Sequence, residues 1–139
     1  MIEVLAALAL FLQTPTGNML TPRTVDKGNR SEVTSPRQVT VRDADAWAAL
    51  WRTHAPDRPQ PAVDFAREIV VGVFLGTRPT AGFAVEIAGY RLEGDRVVVP
   101  YRESRPAKGT LTAQVLTAPF HLAAIPTRIG DVAFEKIER

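Results

Sequence analysis

The chain has 139 residues, a length typical of one domain that can bury a hydrophobic core without metal or disulfide crosslinks. Lys and Arg number 17 against 15 Asp and Glu, a narrow excess that argues against nucleic acid as a partner. The absence of cysteine excludes disulfides, thiolate metal sites, thiol nucleophiles and a lipid-anchored N-terminal cysteine.

Residues 1–37 are predicted to form a signal-like lead and a flexible arm. The apolar run from Val4 to Leu12, "VLAALALFL", has the length of a signal-peptide core and is too short to cross a bilayer. It indicates an extracytoplasmic or secreted protein without an integral membrane span, although the acidic Glu3 also fits a short amphipathic lead. The next stretch is rich in Thr, Pro, Gly and Asn and lacks apolar periodicity, so we expect a tether that is separable from the fold.

The folded domain is predicted to span residues 38–139 and to begin with a strand and a helix. Alternating apolar residues from Gln38 to Arg42 indicate a short half-buried strand. Asp43 suits a helix N-cap, and Pro56 ends the segment. We interpret His54, at the helix end, as a partner of the helix dipole. The spacing i, i+3, i+4 and i+7 places four side chains on one face that should pack on a sheet: Trp47, Leu50, Trp51 and His54.

The remainder of the chain is predicted to consist mainly of strands. The apolar run from Ile69 to Leu75 is typical of a central buried strand, and residues 83–87 alternate as a second one. Gly94-Asp95 predicts a hairpin whose second strand contains Pro100, so this strand is expected at an edge or with a bulge. "LTAQVLTAPFHLAAIP" and a last short run near the C-terminus complete the β pattern. The expected fold class is α+β, a mainly antiparallel twisted sheet or open barrel of about five to six strands with one packed helix.

Sequence motifs for catalysis or metal binding are absent. His54 and His121 are the only histidines and belong to no ligand pattern such as H-E-x-x-H, and none of the serines lies in G-x-S-x-G. Glycine-rich phosphate loops are also missing. The sequence therefore indicates a protein that is not an enzyme and that needs no cofactor or metal. We interpret His121 as making a hydrogen bond at a strand edge or bulge rather than as a catalytic base.

The stretches "VDFAREIVVGVFLGTRPTAGFAVEIAG" and "LTAPFHLAAIP" resemble the PrcB C-terminal domain family. That family has an Asp-Phe lead into a strand, a Gly-x-x-Pro-Thr-Gly-Gly-Tyr turn and a Pro-Tyr-His stretch that ends in Ile-Pro. Ala81 stands in place of the first glycine of the pair, and Phe83 and Phe120 stand in place of tyrosines. The matching positions are Asp64, Phe65, Gly76, Pro79, Thr80, Gly82, Phe83, Pro119, Phe120, His121, Ile125 and Pro126.

The resemblance implies a non-enzymatic accessory module that associates with an extracytoplasmic, subtilisin-like protease and stabilises it. Recognition usually lies on loops of a rigid scaffold, so we predict Arg78 as the polar contact of the turn and Phe83 as the residue that returns the chain to the core. A purely structural corner is the alternative, because proline, threonine and glycine are also good turn residues. The predicted partner-binding residues are Arg78, Pro79, Thr80, Ala81, Gly82 and His121.

The same turn is similar to the Asn-Pro-Thr-Thr-Gly-Tyr loop of chagasin-type inhibitors of papain-like cysteine proteases. Pro79, Thr80 and Gly82 match that loop. The Gly-x-Gly loop of those inhibitors is absent, and Arg105-Pro106-Ala107 is the only counterpart of their Arg-Pro-aromatic loop. A small protease inhibitor and a purely structural interaction domain are therefore the alternative interpretations.

Overall fold

The computed structural model describes residues 18–126 and 130–138, which form eight strands and one helix. This confirms the α+β class, with more strands than the five to six expected. The signal-like run from Val4 to Leu12 lies outside the described residues. The elements in chain order are β1 (Arg23–Gly28), β2 (Arg37–Val41), α1 (Ala44–His54), β3 (Ile69–Phe74), β4 (Ala84–Ile87), β5 (Arg91–Glu93), β6 (Arg96–Ser104), β7 (Phe120–Ile125) and β8 (Asp131–Lys136).

The strands form two four-stranded sheets that do not close into a barrel. The first sheet has the order β1-β7-β3-β2, and all of its pairs are antiparallel. The second sheet is built on β6, which pairs antiparallel with β4 and β5 and parallel with β8. The arrangement is thus mainly antiparallel, as expected, but the chain forms a two-sheet sandwich rather than one sheet.

The helix α1 follows the local signals in the sequence. Asp43 is its N-cap, and one carboxylate oxygen accepts a hydrogen bond from the Ala46 N–H at 2.8 Å. The predicted apolar face is confirmed, because Trp47, Leu50, Trp51 and His54 are all buried. This face packs on the first sheet, in a cluster that includes Phe74 of β3 and Phe120 of β7.

A second core lies between the two sheets and explains the apolar run of β3. Ile69, Val71 and Val73 point into this core, whereas Val70 and Phe74 point toward the helix. Because both faces of β3 are covered, its sequence is continuously apolar instead of alternating. The domain therefore has three layers, the helix, the first sheet and the second sheet.

The strand β1 lies in the stretch before Gln38, where the sequence predicts a flexible arm. Residues Arg23 to Gly28 pair with residues 120–124 of β7, with a bulge between Thr24 and Asp26. The sequence of this strand is polar and only half-buried at best, so it has no apolar alternation that could reveal it. Its stability comes from ladder hydrogen bonds to a strand far along the chain. The ordered fold thus extends N-terminally into the predicted arm.

Pro100 lies in an inner strand rather than at an edge, and the alternative prediction of a bulge fits, because the antiparallel register shifts by one residue between Ile87↔Tyr101 and Arg91↔Val98. β6 pairs with β5 through residues 96–98 and with β4 through residues 101–104. Pro100 occupies the break between these two antiparallel partners, where its missing N–H removes no ladder hydrogen bond to either.

In the described part of the chain, no helix is long and apolar enough to span a membrane.

Candidate functional site

The turn between β3 and β4 is held by the irregular segment that precedes β7. The Arg78 N–H donates to the Thr117 carbonyl at 2.7 Å, and the Thr117 N–H donates back at 2.9 Å. The Ala81 N–H donates to the Ala113 carbonyl at 3.0 Å. We call residues 78–82 the turn and residues 105–117 the long loop. The two form one surface at the end of the sandwich.

The Arg78 side chain is already engaged within the protein. Its guanidinium forms an ion pair with Glu103 at 3.0 Å and donates to the Leu75 carbonyl at 2.8 Å. The Glu103 side chain is 8% exposed, and its carboxylate also pairs with Lys136 at 3.1 Å. Burial alone would raise the pKa of Glu103, but hydrogen bonds from Arg78 and Lys136 lower it overall. Arg78 as the polar partner contact stays a prediction, and such a contact would compete with this ion pair.

The variant Arg78→Ala is expected to lower the free energy of unfolding by about 1–3 kcal/mol, because it removes one partner of the largely buried Glu103 carboxylate. Urea denaturation measures the effect. Arg67→Ala is the matched control, since the Arg67 side chain is 85% exposed and should cost less than about 0.5 kcal/mol. Equal stability of the two variants would show that the Arg78–Glu103 pair contributes nothing.

The rest of the turn is packed closely against the long loop. Gly82 has a φ of +96°, and a Cβ added there would lie 2.8 Å from Pro106 Cγ, so only glycine fits. The Thr117 hydroxyl donates to the Thr80 carbonyl at 3.0 Å. Pro79 is exposed, and Thr80 and Ala81 are partly exposed. Phe83 is only half-buried and belongs to neither core cluster, so the expectation that it returns the chain to the core is not met.

Sequence reasoning missed the apolar side chains of the long loop. The stretch "LTAQVLTAPFHLAAIP" is predicted to have β character with an interruption at Pro119, but only the part after this proline is a strand, since β7 begins at Phe120. Leu111 is 97% exposed, Leu116 75% and Val115 53%. Beside them lies a groove of about 400 Å³. Its lining comes from the segments 29–32 and 115–118 together with Thr34, Thr77 and Ala81.

His121 does not join this surface. It is only 3% exposed. Its Nδ1 accepts a hydrogen bond from the Ile87 N–H at 2.8 Å, and its Nε2 lies 3.0 Å from the Thr24 hydroxyl. The imidazole therefore connects β7 with β4 of the other sheet and with β1. This geometry favours a structural hydrogen-bonding role for His121, and its role as a partner contact stays a prediction.

Acidification is expected to destabilise the protein through His121. Burial lowers the pKa of this imidazole to about 4, and the nearby Lys27 charge adds to the effect, while Glu86 opposes it. The unfolded chain, with a pKa near 6.5, therefore takes up a proton first as the pH falls. The stabilising contribution is complete above about pH 6.5 and is lost toward pH 4, so stability should fall by about 2 kcal/mol between pH 7 and pH 5.

Urea denaturation at the two pH values measures this loss, and a histidine titration by NMR assigns it. His54 also has a lowered pKa and adds a loss of the same sign. A His121 imidazole that titrates near pH 6.5, or equal unfolding midpoints at pH 7 and pH 5, would contradict the prediction. Carboxylates with a lowered pKa lose their stabilising contribution mainly below pH 5, so they do not account for a loss of stability between pH 7 and pH 5.

A second buried network joins Ser31, His54 and Asp26, the three residue types of a serine hydrolase triad. The Ser31 hydroxyl lies 2.8 Å from His54 Nδ1, and His54 Nε2 lies 2.9 Å from an Asp26 carboxylate oxygen. Arg58 donates to the same carboxylate at 2.7 Å. The histidine is completely buried, as its place on the packed face of α1 predicts, and both ring nitrogens contact Asp26 and Ser31 rather than the last carbonyls of the helix.

Desolvation and hydrogen bonding set the charge state of this network. Burial lowers the pKa of His54 below its ordinary value, and the Asp26 hydrogen bond only partly opposes this effect. For Asp26, burial raises the pKa, but hydrogen bonds from Arg58 and His54 lower it overall. An ionised Asp26 accepts from Nε2 of a neutral imidazole, which leaves Nδ1 to accept the proton of the Ser31 hydroxyl.

The backbone around Ser31 favours a structural role for this network over a catalytic one. A serine hydrolase needs free N–H groups to stabilise an oxyanion. The N–H groups of Ser31 and Glu32 donate to the carbonyls of Ala118 and His54, and the Val33 N–H donates to the Ser31 hydroxyl itself. The network thus connects the N-terminal segment to the end of α1. Within residues 18–126 and 130–138, no three His, Asp or Glu side chains converge as metal ligands.

The comparison with known families confirms the resemblance seen in the sequence. Residues 69–126 match the family model described as PrcB C-terminal. The matched region runs from β3 to the end of β7 and contains the turn, the long loop and His121. No curated protein and no solved structure matches the chain.

Proposed function

We propose, from the PrcB C-terminal match over residues 69–126, that the protein is a non-enzymatic accessory subunit of a protease complex. The proposed partner is an extracytoplasmic, subtilisin-like protease, which the accessory subunit binds and stabilises. The observation that carries this proposal is the family match, which contains the turn and the stretch that ends at Pro126 but begins after the Asp64-Phe65 lead.

The structure supports binding by the surface formed by the turn and the long loop. The backbone pair between Arg78 and Thr117 and the hydrogen bond from Ala81 to Ala113 join the turn to the long loop, and the turn connects β3 of the first sheet with β4 of the second. A rigid scaffold with exposed apolar side chains on a loop is typical of a protein-binding module. The buried Ser31–His54–Asp26 network, whose neighbouring N–H groups are occupied, supports a non-catalytic role.

Purification from the native organism tests this proposal. The tagged full-length protein should retain a protease that reacts with a serine-directed inhibitor such as phenylmethylsulfonyl fluoride. The half-life of this protease should fall when the accessory gene is deleted and should recover on complementation. A protease half-life that does not change on deletion would argue against a stabilising subunit.

One observation favours the inhibitor alternative. Arg105-Pro106-Ala107, the counterpart of the second chagasin-type loop, lies directly beside the turn, since Pro106 packs against Gly82. Two loops with partial similarity therefore share one surface. Stoichiometric addition of the protein to papain distinguishes the two functions, because an inhibitor would abolish hydrolysis of a peptide substrate and an accessory subunit would not.

The extracytoplasmic location is a separate part of the proposal and is supported by the apolar run from Val4 to Leu12. Cell fractionation followed by N-terminal sequencing of the mature protein tests it. A cytoplasmic protein that retains Met1 would contradict export.

A further inference from the structure

We infer that the exposed part of the long loop, residues 111–116, and the groove beside it receive an extended, acidic-flanked strand of the partner protein. This inference rests on the proposed function, because it names the surface by which the accessory subunit would hold its protease. Four properties of the loop carry it: apolar exposure, backbone groups without protein partners, an adjacent groove, and charge.

The apolar exposure is concentrated in one short segment. Leu111, Val115 and Leu116 are each more than half exposed and lie within six consecutive residues. Single exposed apolar residues are common on protein surfaces, but clusters beside a groove mark interaction sites. Leu116 and Val115 also line the groove, so a ligand in the groove would cover them.

The backbone of the same segment is available for strand pairing. Among the described residues, the peptide groups of Gln114, Val115 and Leu116 make no hydrogen bond to another protein group. The flanking residues Ala113 and Thr117 are fixed by their hydrogen bonds to the turn. A fixed segment with three free peptide groups and apolar side chains resembles an open sheet edge, to which an extended chain can add.

The groove provides room for such a chain. One wall consists of residues 115–118 and the other of residues 29–32, and the cavity has a volume of about 400 Å³. The walls meet at the isolated parallel bridge between Arg30 and Ala118. The groove is thus open along the segment whose peptide groups are free and closed where the chain enters the first sheet.

The surrounding charges favour an acidic ligand over a second copy of the same chain. Arg30 lines the groove, and Arg105 and Lys108 belong to the long loop. All three side chains are exposed, and none of them forms an ion pair with a residue in the described part of the chain. The segment 110–117 itself carries no charge, and Glu32 is the acidic residue that lines the groove. Self-association would bring basic residues to both sides of the interface, whereas acidic residues on the partner would complement them.

Peptide binding tests the surface without knowledge of the partner. The probe is a labelled peptide with Val-Thr-Val-Ile in the centre and two acidic residues at each end, added to the ¹⁵N-labelled full-length protein. The amide signals of residues 114–116 should shift. A peptide with basic ends, and the variant Val115→Ser/Leu116→Ser, should each bind at least tenfold more weakly. Leu92→Ser is the matched control. Leu92 is 57% exposed, but it lies on β5 beside Val97, at the end of β6 far from the long loop. This variant should bind the peptide like the wild type.

Salt dependence separates the charge contribution from the apolar one. Arg105→Glu/Lys108→Glu should weaken binding of the acidic-ended peptide about tenfold at low ionic strength and much less in 1 M salt. Absence of any shift at residues 114–116, or equal binding of the acidic-ended and basic-ended peptides, would overturn the inference.

Photo-crosslinking in the native organism identifies the occupant. A benzoylphenylalanine at position 116 should form an adduct with the protease, and one at position 92 should not. An adduct with a second copy of this chain would overturn the inference in favour of self-association. If a protease copurifies but crosslinks only from other positions, the inferred binding surface would be wrong and the proposed function would stand. If the peptide binds at residues 114–116 but no protease copurifies, the proposed function would be overturned and the peptide-binding surface would stand.

Discussion

Replacement of Trp51 by alanine is expected to lower the free energy of unfolding by about 3–5 kcal/mol. The indole is 4% exposed and packs edge-on against His54, with ring centroids 5.0 Å apart. Its Nε1–H donates to the Arg58 carbonyl at 2.8 Å, which fixes the connection after the helix. The substitution leaves a cavity between the helix and the first sheet and removes this hydrogen bond.

Urea denaturation followed by far-UV circular dichroism measures the loss. Arg52→Ala is the matched control on the same helix, because Arg52 is exposed and should change stability by less than about 0.5 kcal/mol. Trp51→Phe should fall between the two, since it keeps an aromatic ring in the core. An unfolding midpoint of Trp51→Ala equal to that of Arg52→Ala would contradict the packing of α1 on the sheet.

A chain that begins at Ser35 is expected to lose cooperative folding. The deletion removes β1, which covers one edge of β7, and it removes both hydrogen-bond partners of the buried His54, Asp26 and Ser31. Each buried polar group left unpaired costs about 1–3 kcal/mol, a large part of the stability of a small domain. This result is opposite to the one expected from a separable arm.

Differential scanning calorimetry of the shortened chain detects the loss as an absent or broad transition. The full-length variant Asp26→Asn/Ser31→Ala separates the two causes, because it keeps β1 and weakens only the hydrogen bonds to His54. It should unfold cooperatively at a lower temperature than the wild type. A sharp transition of the shortened chain at the wild-type temperature would show that β1 is dispensable.

The parts of the fold that sequence predicted correctly depend on local signals. The helix has an N-cap at Asp43, apolar residues at helical spacing and a stop at Pro56, and β3 is a continuous apolar run. β1 has no such signal, because its residues are polar and its hydrogen bonds go to β7, almost one hundred positions away. The parallel pairing of β8 with β6 also depends on tertiary contacts that no short pattern encodes.

In the candidate site, too, the sequence predicted the features that have a local signal and missed those that depend on tertiary contacts. The proline, threonine and glycine of the turn predicted a connection between two strands, and the structure has one there. The ion pair that engages Arg78 could not be predicted, because Glu103 lies 25 positions away on another strand. For His54, helical spacing predicts burial, but its partners Asp26 and Ser31 lie in the stretch whose composition predicts a tether. The free peptide groups of the long loop are a property of the folded chain alone.

The hydrogen bond from the Ile87 N–H to the His121 ring has a consequence for amide hydrogen exchange. This amide belongs to β4 in the second sheet, but its acceptor is a side chain of the first sheet, at 2.8 Å. It can exchange with solvent only when the two sheets separate, whereas amides bonded to a neighbouring strand also exchange through fraying of that strand. The exchange rate of this single amide should therefore report the free energy of opening the sandwich. If Ile87 exchanges as slowly as the central amides of β3, the two sheets open only when the whole domain unfolds.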